Sequence, residues 1–173
     1  MCNFYFSAQT TKKKSLRARL LVMLAVALSS SSSSAESRIP LSLHPCLLPA
    51  FASLLRTTFQ NVESAAFVVE ESGAPRLLLW PRRAWGPTQI FRGPQPNGTV
   101  AVVHTHFTNE DKPSPDDEAE SRRLHLPFYV VTHTAVSVFD PETARETQII
   151  AGRAWVAMSD AMPANCTKPQ PLR

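Results

Sequence analysis

Apolar positions along residues 47–59 recur at spacings of three and four, which predicts a first helix with one buried stripe. Two shorter apolar runs follow at residues 65–69 and 76–80, and both are rich in residues that favour strands. The Ser72-Gly73 step between them is typical of a turn, so the two runs predict a hairpin. This part of the chain therefore predicts one helix followed by two paired strands.

The next segment, residues 81–96, is punctuated by prolines and predicts an irregular connection, with only a possible strand at residues 88–92. Asn97-Gly98 is a strong turn signal. The valine-rich segment 99–106 after it predicts a mostly buried strand.

Ser114 followed by proline and two aspartates is typical of a helix N-terminus, and the helix is predicted to run to about Leu124. Four later apolar runs predict further strands, the last two at a sheet edge: residues 128–132, 135–139, 148–151 and 154–157. Helices and strands in this order predict an α/β (α+β) fold, in which a central mixed sheet is flanked by helices.

The first 35 residues differ from the rest in composition. Five basic side chains precede the apolar run 20–28, and six serines and Ala35 follow that run. A membrane helix needs about 20 apolar residues, so this shorter run predicts a secretory signal peptide over residues 1–35 and no stable membrane span after its cleavage. An uncleaved anchor is the alternative. The expected location is therefore exported, either periplasmic or extracellular.

The length and net charge of the chain after residue 35 limit the number of domains and the kinds of partner. The 173 residues, 43% of them hydrophobic, are enough for one globular domain, expected at residues 47–161 between a lead-in segment at 36–46 and an irregular tail at 162–173. Removing the signal takes five of the 18 basic residues and none of the 14 acidic ones, which leaves 13 against 14 and a net charge of about −1. No nucleic-acid partner is expected, because a near-neutral domain lacks the field of a general phosphate binder.

Two cysteines, Cys46 and Cys166, remain after the signal is removed. In an oxidising compartment they could close nearly the whole domain into one loop, worth up to about 5 kcal/mol in the chain-entropy model. Two free buried thiols are the alternative.

His104 and His106 lie two residues apart at the end of a predicted strand. The strand period of two places both imidazoles on one face and Thr105 on the other. Ser114 and Asp117 fall in the first turn of the next helix, where Asp117 offers a third ligand. Two imidazole nitrogens and one carboxylate oxygen suit a divalent cation, and Zn²⁺ is the usual ion where a fourth position is left for water.

Hydrolysis at such a site also needs a carboxylate that moves protons. Glu63, just ahead of the first strand, is the candidate, with Glu70 and Glu71 as alternatives. Asp116 competes with Asp117 as the acidic ligand, and the spacing favours Asp117 because Asp116 lies about 100° around the helix.

The pattern His104-x-His106, seven residues, then Ser114-x-x-Asp117, with Glu63 ahead of an earlier strand, resembles the JAMM motif of the Mov34/MPN (PAD-1-like) metalloprotease superfamily. The resemblance implies that both histidines and Asp117 bind Zn²⁺, that Glu63 is the general acid/base and that Ser114 stabilises the oxyanion. Ser114 as a helix cap alone is the alternative.

The resemblance covers roughly residues 62–141, and the Pro113-Ser114 step is similar to the bacterial RadC branch. It implies a fold of the JAMM/cytidine-deaminase type and an exported zinc metallopeptidase or isopeptidase-like hydrolase that acts on a peptide or protein. A non-catalytic MPN-like binding or sensing domain is the alternative function.

Phe107 and Ala66 stand where many members have proline and glycine. His125 and His133 lie outside the motif and are expected to face solvent, and the oligomeric state stays open.

Overall fold

The structure is a computed structural model that describes residues 44–58, 62–81, 89–108 and 110–172. The predicted signal segment and most of the lead-in segment lie outside these residues. Within them, two α-helices, seven strands and one 3₁₀ helix follow in the order α1 (Leu47–Arg56), β1 (Ala65–Glu71), β2 (Ala74–Leu79), β3 (Thr99–Thr105), α2 (Pro115–Leu124), β4 (Phe128–Val131), β5 (Ala135–Asp140), β6 (Arg145–Ala151), the 3₁₀ helix (Arg153–Ala161) and β7 (Gln170–Pro171). No helix of the described part is long and apolar enough to cross a bilayer.

All seven strands form one sheet in the order β6-β5-β4-β3-β1-β2-β7. The pairs β3–β4 and β2–β7 are parallel and the other four pairs are antiparallel. The parallel pair β3–β4 needs a crossover connection, and α2 lies in that connection. The predicted α+β class with a mixed sheet is therefore confirmed.

The sheet separates two apolar clusters. On one face, Phe51 and Leu54 of α1 pack with sheet residues such as Val103. On the other face, Phe67 and Val102 lie in a cluster that Leu124, at the end of α2, joins. Because the two helices contribute to different clusters, each covers its own face of the sheet, and the second face is the one that carries the histidines of β3.

One strand prediction was wrong. Residues 154–157 belong to the 3₁₀ helix, because Gly152 leaves the strand at a φ of 91° and Trp155 then packs against α1 with only 1% of its surface exposed. A short apolar run does not distinguish a strand from a buried helical turn. The segment 81–96 was predicted to be mostly irregular, and its described residues 89–96 form no strand, including at the possible strand position 89–92.

The C-terminal segment is attached to the domain at two points. Cys46 and Cys166 form a disulfide that joins the start of α1 to the tail, with their Cα atoms 5.3 Å apart. Gln170–Pro171 then adds a short parallel strand beside β2. The sequence pattern gave no sign of this strand in a segment that was expected to be irregular.

Candidate metal centre

The end of β3 positions both histidines. His104 lies opposite Ala65 of β1 and opposite Val130 of β4 in the two strand pairings. His106 follows two residues later on the same face. Thr105 points the other way, where its hydroxyl lies 2.7 Å from that of Thr58, just beyond α1. The predicted alternation of these three side chains is therefore what the strand shows.

Asp117 reaches the two imidazoles from the first turn of α2. The Nε2 atoms of His104 and His106 are 3.0 Å apart. Asp117 Oδ1 lies 3.4 Å from His104 Nε2, and Oδ2 lies 3.7 Å from His106 Nε2. All three side chains are buried, and their ligand atoms lie within 4.8 Å of one another.

These distances fit one small cation. In a tetrahedral zinc site with bonds of about 2.0–2.1 Å, neighbouring ligand atoms lie about 3.3 Å apart, which falls among the observed separations. Asp117 Oδ1 is buried and accepts no hydrogen bond from the described residues. A buried carboxylate oxygen normally has a partner, so an atom in this position suits coordination to a cation.

The electrostatics of the group favour positive charge beside the carboxylate. Burial alone would raise the pKa of Asp117, but the two histidines and the Ser114 hydroxyl lower it well below its ordinary value. Burial alone would lower the pKa of His106, but the nearby Asp117 carboxylate, the hydrogen bond to the Glu110 carbonyl and the negative charge of Glu63 raise it. The carboxylate therefore stays ionised, and the field that favours a protonated imidazole also favours a metal ion.

A backbone group sets the orientation of His106. Its Nδ1 lies 2.8 Å from the carbonyl oxygen of Glu110. The next residue, Asp111, fixes this loop to the turn after β4, because its Oδ1 accepts hydrogen bonds from the hydroxyls of Thr132 and Thr134, the latter at 2.6 Å. Neither Glu110 nor Asp111 was singled out from the sequence, since a backbone acceptor and a loop aspartate have no motif of their own.

Ser114 caps α2 in the predicted way. Its hydroxyl accepts a hydrogen bond from the Asp117 backbone N–H at 3.2 Å and donates to Asp117 Oδ2 at 2.7 Å, while its own N–H donates to the same oxygen at 2.8 Å. This reciprocal capping box places Asp117 as the third residue of α2. Asp116, the alternative ligand, is not in the buried group of possible ligands.

Glu63 lies beside the three possible ligands. It is 4% exposed and lines a cavity of about 640 Å³ together with His106 and Ser114. The alternatives are at the other end of β1, where Glu70 lies opposite Pro75 and Glu71 pairs with Arg76. Of the three glutamates, only Glu63 lines the cavity beside the possible metal ligands.

His125 and His133 do not belong to this group. His125 ends α2 in a left-handed conformation with a φ of 54°, and His133 lies in the turn between β4 and β5. Both are exposed, as predicted.

His104, His106 and Asp117 thus form a buried group that could hold a metal ion. No protein-family model matches the chain, and no curated protein matches it. The geometry alone therefore describes the site, as a buried His-His-Asp group of which His106 lines a cavity.

Proposed function

We propose that the protein is a zinc-dependent metallopeptidase or isopeptidase-like hydrolase of the JAMM type, which cleaves an amide bond with water. The observation that carries this proposal is the convergence of His104, His106 and Asp117, of which His106 lines a cavity together with Glu63. Three protein ligands leave a fourth position open for water or substrate, which is the arrangement of catalytic rather than structural zinc sites.

When bound, the ion supplies a Lewis acid that acidifies water and polarises the scissile carbonyl. Glu63 accepts one proton from the attacking water as the water oxygen bonds to the carbonyl carbon. It then delivers that proton to the leaving nitrogen as the C–N bond breaks, so that the products are an amine and a carboxylic acid, which releases the second proton of the water when it ionises. Its position on the cavity wall beside His106 supports this role.

Ser114 assists by donating a hydrogen bond to the oxyanion. Its hydroxyl lines the same cavity, and its proton is directed to Asp117 Oδ2 in this structure. The hydroxyl therefore has to turn towards the cavity during the reaction. A donor aimed at developing negative charge typically contributes about 10²–10³-fold in rate.

The proposed substrates are peptides or proteins, and the proposed location is exported. The Cys46–Cys166 disulfide supports export because disulfides persist in oxidising compartments. Nucleic acid is not part of the proposal, since the charge after signal removal is close to zero.

The test compares Glu63→Gln with Glu70→Gln, the same substitution at the other end of β1. Both variants are expected to bind one zinc per chain, measured by elemental analysis. Glu63→Gln is expected to lose about 10²–10⁴-fold in hydrolysis of a peptide library, whereas Glu70→Gln keeps the wild-type rate. Protein that binds no zinc would refute the proposal. Zinc binding without hydrolysis by the wild type would instead favour the non-catalytic binding or sensing domain.

A further inference from the structure

A second, smaller cavity adjoins the proposed metal centre at Glu63. Its volume is about 290 Å³, and Glu63 lines both this cavity and the larger one that contains His106. Apolar walls come from Leu54 of α1 and from Leu79 and Trp80 at the end of β2. A substrate bound over Glu63 therefore has room for one side chain in this smaller cavity, next to the bond that is cleaved.

Gln89 gives the smaller cavity a specific polar group. It lines the cavity, only 2% of it is exposed, and its Nε2 finds no hydrogen-bond acceptor among the described residues. A buried amide N–H without an acceptor is unfavourable, and a ligand that supplies the acceptor removes that penalty. Nε2 itself is fully buried, so the amide has to turn towards the cavity to donate to an acceptor on a bound molecule.

The charge of the cavity determines which acceptor fits. Its described lining residues include no lysine or arginine, and the Glu63 carboxylate lies on its wall. An anionic side chain would be repelled there without a counter-charge. A neutral carboxamide offers the required oxygen to Gln89, and its own N–H groups can donate to Glu63 or to the hydroxyl of Ser64, which also lines the cavity.

We propose that the cavity at Gln89 is a specificity subsite for a glutamine or asparagine side chain adjacent to the scissile amide. The inference rests on the proposed hydrolase function and names its substrate class. Gln89 is a specificity residue and takes no part in the bond-breaking steps.

Hydrolysis of paired peptides tests the selectivity. Zinc-loaded protein is assayed on peptides that differ only in glutamine, glutamate or norleucine at each position flanking the cleaved bond. The wild type is expected to prefer glutamine, and Gln89→Leu is expected to reduce that preference over norleucine about tenfold. Gln148→Leu, the same change at an exposed position of the edge strand β6, should keep the wild-type ratio. Equal ratios in wild type and Gln89→Leu would overturn the proposal.

A binding measurement separates this proposal from the proposed hydrolase. In ¹⁵N-labelled wild-type protein, the side-chain amide signals of Gln89 are expected to shift with N-acetylglutamine methylamide and not with its glutamate or norleucine counterparts. If that shift occurs but no peptide is cleaved, the subsite stands and the hydrolase fails. If all three probes act alike, or none acts, the subsite is rejected whether or not peptides are cleaved.

Discussion

At the scale of single residues, His106 uses its two ring nitrogens for different purposes. Nδ1 is directed to the carbonyl of Glu110 at 2.8 Å, and a carbonyl oxygen can only accept a hydrogen bond. In the neutral ring the proton therefore lies on Nδ1, and the lone pair of Nε2 faces His104 and Asp117. The tautomer that can bind a metal is thus selected by one backbone oxygen, and the loop that carries this oxygen becomes part of the site.

Asp111 holds that loop in place, which gives a first prediction. Asp111→Ala removes the acceptor of the Thr132 and Thr134 hydroxyls and leaves Glu110 less well positioned. Zinc affinity is expected to fall about 10–100-fold, measured by competition with a chromophoric chelator. In the metal-free variant, the ¹⁵N signals of the His106 ring should also move towards a mixture of tautomers, which a loss of stability alone would not produce.

Two further variants control this experiment. Asp111→Asn keeps an oxygen that can accept both hydroxyls and is expected to retain most of the affinity. Asp140→Ala also removes an aspartate that accepts hydrogen bonds in a turn, from Glu142 and Thr143, but this turn follows β5 and its residues do not line the metal-site cavity. An equal loss in Asp111→Ala and Asp140→Ala would show that Asp111 has no special role at the site.

At the scale of elements, the start of α2 connects helix formation to the site. Asp116, Asp117 and Glu118 all lie in the first turn, where negative charge interacts favourably with the helix dipole. Asp117 also closes the capping box with Ser114 while its Oδ1 faces His104. The hydrogen bonds that fix the helix end therefore also fix the direction of the carboxylate.

Removing the cap is consequently predicted to affect both stability and metal binding. Ser114→Ala should lower the free energy of unfolding by about 1 kcal/mol and weaken zinc binding, because Asp117 Oδ2 loses the Ser114 hydroxyl at 2.7 Å. Urea unfolding and the chelator competition measure the two effects. Ser114→Thr keeps a capping hydroxyl and should lose less in both. If the alanine and threonine variants behave alike, the hydroxyl contributes to neither property.

Elements with their own local signals were predicted well from the sequence. The capping residues located α2, the Ser72-Gly73 turn located the β1–β2 hairpin, and the period of β3 brought His104 and His106 to one face. Each of these features depends on residues close together in the chain.

Features that depend on distant contacts were not predictable in the same way. The segment around Trp155 is a 3₁₀ helix because Trp155 is buried against α1. The local sequence of residues 153–161 does not indicate this contact. Glu110 contributes a backbone oxygen, which every residue has. Gln89 lines a cavity only because residues of α1, β1 and β2 form the other walls around it. Tertiary packing, rather than local preference, creates these parts of the site.

At the scale of the whole molecule, the disulfide joins two segments that form walls of the smaller cavity. Cys46 precedes α1, which contributes Leu54, and Cys166 lies in the tail, which contributes Leu172. The two cysteines are 120 positions apart in the sequence, and the chain between them contains the entire sheet except β7. The cross-link therefore limits the unfolded chain strongly and also holds α1 and the tail close to the cavity.

Loss of the disulfide should consequently affect stability more than metal binding. Replacing both Cys46 and Cys166 with serine is expected to lower the free energy of unfolding by up to about 5 kcal/mol, because the closed loop is long. The metal ligands come from β3 and α2, outside both joined segments, so folded variant protein should still bind zinc. Denaturant titration and zinc competition provide the two measurements, and a double variant as stable as the wild type would show that the cross-link does not stabilise the fold.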